Sequence, residues 1–90
     1  MKAIRFTPHA EANLVAREIS RDDAEAAVRQ PDRREPGRPP REVVNRVYSD
    51  TVTGETMLLR AIIEETESEI AVITIYKTSK LKKYLPKETT

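Results

Sequence analysis

The sequence predicts an α+β fold with the element order β-α-α-β-β-β, in which an antiparallel sheet carries a helix pair on one face. Three observations predict it: two helix-capping signals early in the chain, three β-rich runs in its second half, and a hairpin signal between two of those runs. The 90 residues fit a single domain spanning residues 1–90. The chain contains no cysteine, which excludes disulfides and thiolate metal sites.

The first part of the chain predicts one strand followed by two short helices. Residues 2–6 form a β-type run that ends at Thr7, a residue that can cap a helix whose first residue is a proline. Apolar residues at helical spacing predict this helix over residues 9–18. Ser20 is a second capping signal and predicts the start of a second helix. Pro31 lies just beyond the end of that helix.

The central segment predicts a loop, and the remainder predicts three strands. Residues 30–41 hold four of the six prolines, so we expect a long loop there, either a solvated connector or a basic flap. Strands are predicted over residues 43–48, 55–63 and 70–76, and the pair Thr53-Gly54 is typical of a hairpin turn. Consecutive hairpins make these strands antiparallel, and the first strand is expected to join their sheet.

Alternation along the three strands divides their side chains between two faces of the sheet. The face expected under the helices is nearly all apolar and consists of Val43, Val47, Met57, Leu59, Ala61, Ile63, Ala71, Ile73 and Ile75. Asn45 is the polar exception and needs a hydrogen-bond partner if it is buried. The opposite face consists of Val44, Arg46, Tyr48, Leu58, Arg60, Ile62, Val72, Thr74 and Tyr76.

Two arginines on that second face are the first candidate site. If Arg46 and Arg60 lie on adjacent strands they converge, and an arginine fork binds phosphate oxygens in a bidentate manner. The alternative is that both are solvent-facing residues paired with nearby glutamates. His9, the only histidine, begins the first helix and is a candidate general base or a structural histidine that ties the helix to a strand. Tyr76 closes the last strand and is a second candidate for proton transfer or for base stacking.

Charge is segregated along the chain although its formal net value is only +1. Residues 29–46 carry six arginines against three acids, and residues 77–87 carry five lysines and no acid. We therefore expect residues 77–90 to form a basic tail, with a helical turn over residues 79–85. Its lysines and tyrosine fit RNA contact, and the alternative is a solubilising tail. The residues assigned to nucleic-acid binding are Lys77, Lys80, Lys82, Lys83 and Tyr84.

Two segments, one from Phe6 to Ser20 and one from Ile73 to Leu85, resemble a widespread bacterial and archaeal family of small proteins near the RelE/ParE-like toxin superfamily. The first is FTPHAEANLVAREIS, where His9 and Ala10 match the His-Ala of the family and Arg17, Ile19 and Ser20 match its Arg-Gly-Ile-Ser motif. The second is ITIYKTSKLKKYL, where Tyr76 matches the tyrosine that closes the last strand of the family, followed by Lys-Thr-Ser-Lys. Glu18 replaces the glycine of the motif, and Asn13 stands where a basic residue is usual.

The resemblance implies a RelE-like fold and a toxin of a toxin–antitoxin pair. RelE-type toxins cut mRNA, usually on the ribosome, through attack of the RNA 2′-hydroxyl on its own phosphate, whereas ParE-type toxins poison gyrase. A metal-independent endoribonuclease needs a base, cations and a proton donor. We assign these roles to His9, Arg46, Arg60 and Tyr76. The alternative is a non-catalytic interaction or nucleic-acid-binding module on the same scaffold.

The resemblance and the charge pattern also predict the partners and the location of the protein. An antitoxin protein, RNA or a ribosome, and a second copy of the chain are the candidate partners. No cofactor and no metal site are expected. The start of the sequence has no long apolar segment, and no apolar run is long enough to cross a bilayer, so we expect a cytoplasmic protein without a membrane partner.

Overall fold

The computed structural model describes residues 2–85, which form an α+β fold. Along the described chain its elements are β1 (Ala3–Phe6), α1 (Pro8–Ala16), α2 (Arg21–Arg29), β2 (Arg33–Pro36), β3 (Glu42–Ser49), β4 (Thr56–Glu65), β5 (Glu69–Thr78) and α3 (Leu81–Tyr84). Part of the expected basic tail, residues 86–90, lies outside the described residues. No helix within residues 2–85 is long and apolar enough to span a membrane.

The sheet is mixed, with the strand order β1-β5-β4-β3-β2. The strands β2 to β5 form a continuous antiparallel meander, as expected for the three strands predicted in that part of the chain. β1 joins the sheet as expected, but it runs parallel to β5, with Ala3 opposite Glu69 and Phe6 opposite Val72. The purely antiparallel sheet is therefore wrong in this one pairing, because the direction of a strand far away in sequence is not set by a hairpin.

The side chains that were expected to cap the helices do so. The Thr7 hydroxyl oxygen accepts a hydrogen bond from the Ala10 amide at 3.1 Å and donates one to the Ile73 carbonyl at 3.1 Å. The Ser20 hydroxyl oxygen accepts from the Asp23 amide at 3.0 Å. Both caps satisfy amides that have no partner inside the helix, and Thr7 also fixes the start of α1 to β5.

The predicted loop over residues 30–41 contains an additional edge strand, so that prediction is wrong in its centre. Arg33 lies opposite Asn45 and Pro36 lies opposite Glu42, which makes β2 the outermost strand of the sheet. Pro36 is the last residue of β2, a position at which an edge strand can accept a proline. The turn that follows is closed by a hydrogen bond from the Gly37 amide to the Arg41 carbonyl at 3.1 Å.

The helices α1 and α2 cover one face of the sheet, α1 against β5 and α2 against β3 and β4. The core between them consists of Phe6, Ala10, Leu14, Ile19, Ala24, Ala27, Val28, Val44, Leu59, Ala61, Ile63, Val72 and Ile75. We call the side of the sheet that faces α1 and α2 the helix face, and the other side the open face.

The division of β3 between these faces is the reverse of the one predicted. Arg46 lies opposite Leu59 and Asn45 lies opposite Arg60, so even-numbered residues of β3 share a face with odd-numbered residues of β4. Val44 is accordingly in the core and Val47 is on the open face. The adjacent valines at positions 43 and 44 fit either assignment, and the register is set by the turn over residues 50–55.

A bulge changes the faces of β5 as well. Ile62 lies opposite Thr74, but Ile63 lies opposite Val72, so Ile73 is an extra residue in β5. Val72 therefore joins the core. Ala71 was predicted to lie under the helices, and this prediction is wrong. Beyond the bulge the prediction is correct for Ile75, which is in the core.

Candidate functional site

A polar cluster lies at the centre of the open face around Arg60. Its members come from five elements and are Glu35 of β2, Asn45 of β3, Arg60 of β4, Tyr76 of β5 and Tyr84 of α3. We call this set the Arg60 cluster. Three of its residues occupy one row across the sheet, since Asn45 lies opposite Arg60 and Arg60 lies opposite Tyr76.

The guanidinium of Arg60 is held from several sides. Its Nε donates to the Tyr76 hydroxyl at 2.7 Å, and its Nη1 donates to Asn45 Oδ1 at 2.9 Å. Nη1 also faces Glu35 Oε2 at 3.4 Å, and the same carboxylate oxygen accepts from Asn45 Nδ2 at 2.9 Å. The ring of Tyr84 lies against the guanidinium, with 4.0 Å between the Arg60 Cζ and the ring centroid. These contacts fix the position of the guanidinium, as a preorganised anion site requires.

Part of the guanidinium remains available to a ligand. The Arg60 side chain is only 14% exposed. Its Nη2 makes no hydrogen bond within residues 2–85, and no buried side-chain nitrogen or oxygen in that range lacks a partner, so Nη2 reaches the surface. A cation with a fixed geometry and free N–H donors at the surface can bind a phosphate oxygen.

The two tyrosines of the cluster have pKa values shifted in opposite directions. Burial raises the pKa of the Tyr76 hydroxyl, and the neighbouring Tyr84 phenol adds to that rise. The neighbouring Tyr76 lowers the pKa of Tyr84, with a further contribution from Lys83. Tyr76 therefore keeps its proton while Tyr84 loses its proton more readily. Two adjacent groups separated in this way are suited to act as an acid and a base.

Arg46 does not belong to this cluster, so the predicted convergence of Arg46 and Arg60 is wrong. Its side chain lies on the helix face, and its Nη1 donates to the Gln30 carbonyl at 2.7 Å. Gln30 is the C-cap residue of α2, where a cation is favoured by the negative end of the helix dipole. Arg46 therefore stabilises the end of α2 and is separated from Arg60 by the sheet.

Lys77 is likewise on the helix face, within a second polar cluster. Its Nζ contacts both carboxylate oxygens of Asp50 at 3.1 and 3.2 Å, with side chains that are 12% and 4% exposed. The hydroxyl of Tyr48 donates to Asp50 Oδ1 at 3.1 Å, and the Thr53 amide donates to Asp50 Oδ2 at 3.0 Å. We call Tyr48, Asp50, Thr53 and Lys77 the Asp50 cluster. Lys77 is engaged there, and this placement contradicts its assignment to nucleic-acid binding.

His9 lies in the first turn of α1, as predicted, and it is exposed. Its side chain makes no hydrogen bond within residues 2–85, so it does not tie the helix to a strand there; Thr7 makes that connection instead. His9 is part of neither polar cluster. The structure therefore leaves its predicted role as general base without a neighbouring group that would support it.

The remaining lysines assigned to nucleic-acid binding lie in or next to α3, the element that carries Tyr84. Lys80 precedes α3, and Lys82 and Lys83 lie within it, all three exposed. Lys83 Nζ lies 5.2 Å from the centroid of the Tyr84 ring. Tyr84 and Lys83 are thus placed at the edge of the Arg60 cluster.

Two residues of the Arg60 cluster, Glu35 and Asn45, were not predicted from the sequence as part of a functional site. Asn45 is fully buried and has the partners that such a residue requires. Glu35 was assigned to a loop because prolines surround it, although the spacing of Arg33 and Glu35 is that of two residues on one face of a strand. Among residues 2–85 no group of three or more histidines, aspartates or glutamates is arranged to hold a metal ion.

Comparisons of the chain with protein-family models, with curated proteins and with solved structures find no match.

Proposed function

We propose that the protein is a toxin-like endoribonuclease that cleaves single-stranded RNA without a metal, at the Arg60 cluster. The observation that supports this function is the combination of a fixed guanidinium, open at Nη2, with two phenols whose pKa values differ. The three requirements for cleavage by the RNA 2′-hydroxyl are a base, a cation for the developing charge and a proton donor. We assign the cation to Arg60, the base to Tyr84 and the proton donor to Tyr76.

The proposed reaction uses each of these residues once. Tyr84 in its phenolate form accepts the proton of the 2′-hydroxyl as the 2′-oxygen attacks phosphorus, and Arg60 binds the phosphate oxygens, on which negative charge increases. The bond from phosphorus to the 5′-oxygen breaks, and Tyr76 supplies a proton to that oxygen. The products are a 2′,3′-cyclic phosphate and a 5′-hydroxyl. The lysines of α3 hold the flanking phosphates through charge alone.

The decisive experiment compares matched tyrosine variants. Purified protein is incubated with single-stranded RNA and with ribosome-bound mRNA, and the ends of the products are determined. Tyr84→Phe keeps the ring against Arg60 and removes the hydroxyl, so cleavage should fall at least about 100-fold while RNA binding is retained. Tyr48→Phe is the control, because Tyr48 is a half-buried phenol in the Asp50 cluster on the helix face, and its cleavage rate should equal that of the wild type.

Growth after induction provides the same comparison in cells. Wild type should arrest growth with loss of mRNA, and Tyr84→Phe should not. Intact RNA in both assays with folded wild-type protein would overturn the endoribonuclease proposal.

A second candidate function is a non-catalytic RNA-binding module on the same surface. It is favoured by the contact of Arg60 Nη1 with the Glu35 carboxylate, which partly neutralises the guanidinium and so weakens its stabilisation of a developing negative charge. Binding of RNA by the wild type without any cleavage would establish this function in place of the first.

A further inference from the structure

A second arginine lies in the same row of the sheet as the Arg60 cluster. Arg33 of β2 is opposite Asn45, which is opposite Arg60, which is opposite Tyr76. Residues opposite one another in a sheet share a face, so all four side chains emerge on the open face. The row therefore carries a cation on its outermost strand and a second cation two strands further in.

Arg33 is free to bind an anion. Its side chain is exposed and makes no hydrogen bond or ion pair within residues 2–85. The next residue is the opposite case: Arg34 points to the other face and pairs with Glu42 and Glu65. The acids nearest to Arg33 along the chain are engaged elsewhere, since Asp32 accepts from the Val47 amide and Glu35 is bound to Asn45. Arg33 thus keeps its charge without an internal partner.

The spacing of the two arginines suits one nucleic-acid strand. Neighbouring strands of a sheet are about 4.8 Å apart, so Arg33 and Arg60 originate about 10 Å apart across the sheet, with flexible side chains between. Two phosphates of the same strand can bridge that separation. At the other end of the row, the rings of Tyr76 and Tyr84 lie beside the Arg60 guanidinium, and aromatic side chains are the groups on which unpaired bases stack.

We propose that Arg33 is a second phosphate-binding residue and that single-stranded RNA crosses the sheet along the row Arg33–Asn45–Arg60–Tyr76. This inference rests on the proposed function and deepens it by naming the path and the strandedness of the substrate. It also gives β2 a role, because without that edge strand the row would end at Asn45.

The test measures binding of an oligonucleotide that cannot be cleaved, a 2′-O-methyl RNA of about 12 nucleotides, within the site size usual for single-strand binders. Affinity is determined at several salt concentrations for the wild type, Arg33→Ala, Arg60→Lys and Arg17→Ala. Arg17 is the matched control, because it is exposed at the end of α1 and its side chain makes no hydrogen bond within residues 2–85.

We expect Arg33→Ala to weaken binding several-fold and to lower the slope of log affinity against log salt by about 0.7, the value for one lost contact on a single strand. Arg17→Ala should leave both unchanged, and Arg33→Lys should restore the slope. A duplex of the same sequence should bind more weakly than the single strand.

Two results would overturn the inference, and they are distinguishable. Binding that is weakened by Arg60→Lys but unaffected by Arg33→Ala would remove Arg33 from the site and leave the proposed function intact. Absence of binding by the folded wild type, alone and with ribosomes, would overturn the inference together with the proposed function.

Discussion

The two faces of the sheet each hold a largely buried cation, and the two cations differ in what surrounds them. On the helix face, Lys77 is closed in by Asp50, whose oxygens are also bound by Tyr48 and Thr53. On the open face, Arg60 is fixed by its neighbours but keeps Nη2 at the surface. A cation whose partners are all internal contributes to the fold, whereas one that is fixed and still open can act on a ligand.

The largest expected effect is a loss of RNA cleavage when Arg60, but not Arg46, is replaced by lysine. Arg60→Lys keeps the positive charge but loses the planar fork, so RNA cleavage should fall at least about 100-fold, as when one preorganised donor is lost. Arg46→Lys should leave cleavage unchanged, because Arg46 lies on the helix face at the end of α2. The measurement is the single-turnover cleavage rate. Equal losses in the two variants would contradict the assignment of the two faces.

A smaller effect is expected for the closed cation. Lys77→Met keeps the bulk of the side chain but leaves the buried Asp50 carboxylate without its cation, which should lower the free energy of unfolding by about 2–3 kcal/mol. The reason is that removing one partner of a buried pair leaves the other charge uncompensated. Urea unfolding measures the loss, and Lys80→Met, at an exposed position, should stay within about 0.5 kcal/mol of the wild type.

Lowering the pH should gradually remove the contribution that the Asp50 carboxylate makes to the free energy of unfolding. Burial by itself would raise the pKa of Asp50, but hydrogen bonds from Thr53, Lys77 and Tyr48 outweigh it and lower the pKa to about 2 from its usual 3.8. A carboxyl whose pKa is lower in the folded protein stabilises the fold above its unfolded pKa and loses that contribution as the pH falls.

Stability of the wild type relative to Asp50→Asn should therefore decline as the pH falls from about 4 to about 2. Paired urea titrations across this range measure the difference. Glu65 and Glu69, whose pKa values are lowered first by hydrogen bonds from Lys2 and Arg5, titrate in both proteins and cancel in the comparison. A difference that is constant with pH would contradict the role given to Asp50.

The smallest expected effect is a gain in stability at the edge of the helix face. Glu18 has φ of 54°, in the left-handed region that favours glycine, and its carbonyl accepts from Lys77 Nζ at 3.4 Å. Glu18→Gly should stabilise the protein by about 0.5–1 kcal/mol, since relief of strain exceeds the greater entropy of glycine in the unfolded chain. Glu18→Ala keeps the Cβ and should show no such gain in the thermal midpoint.

The elements with local signals were predicted well from the sequence. Thr7 and Ser20 cap the helices as expected, because the signal and its consequence lie within three residues of each other. Glu18, which replaces the glycine of the Arg-Gly-Ile-Ser motif, has a positive φ, and a positive φ is the backbone conformation that favours glycine at this position. Asn13, at the other departure from the family pattern, accepts hydrogen bonds from the Thr74 hydroxyl and the Ile75 amide and so joins α1 to β5.

The predictions that were wrong are those that depended on how the strands of the sheet pair. Adjacent valines made either face assignment of β3 consistent with alternation, and the pairing of residue 46 with residue 59 follows from the length of the turn rather than from the strand itself. One wrong step placed Arg46 beside Arg60 and Asn45 under the helices. Glu35 could not be found because its strand forms only by pairing with β3, which overrides the prolines around it.

The pairing of β1 with β5 has a consequence for how the chain folds. Ala3 and Glu69 lie 66 positions apart, so no local encounter can bring these strands together. During synthesis β1 remains without its neighbour until β5 has been made. We therefore expect late closure of the sheet, during which the edge of β5 that receives β1 is open to other chains.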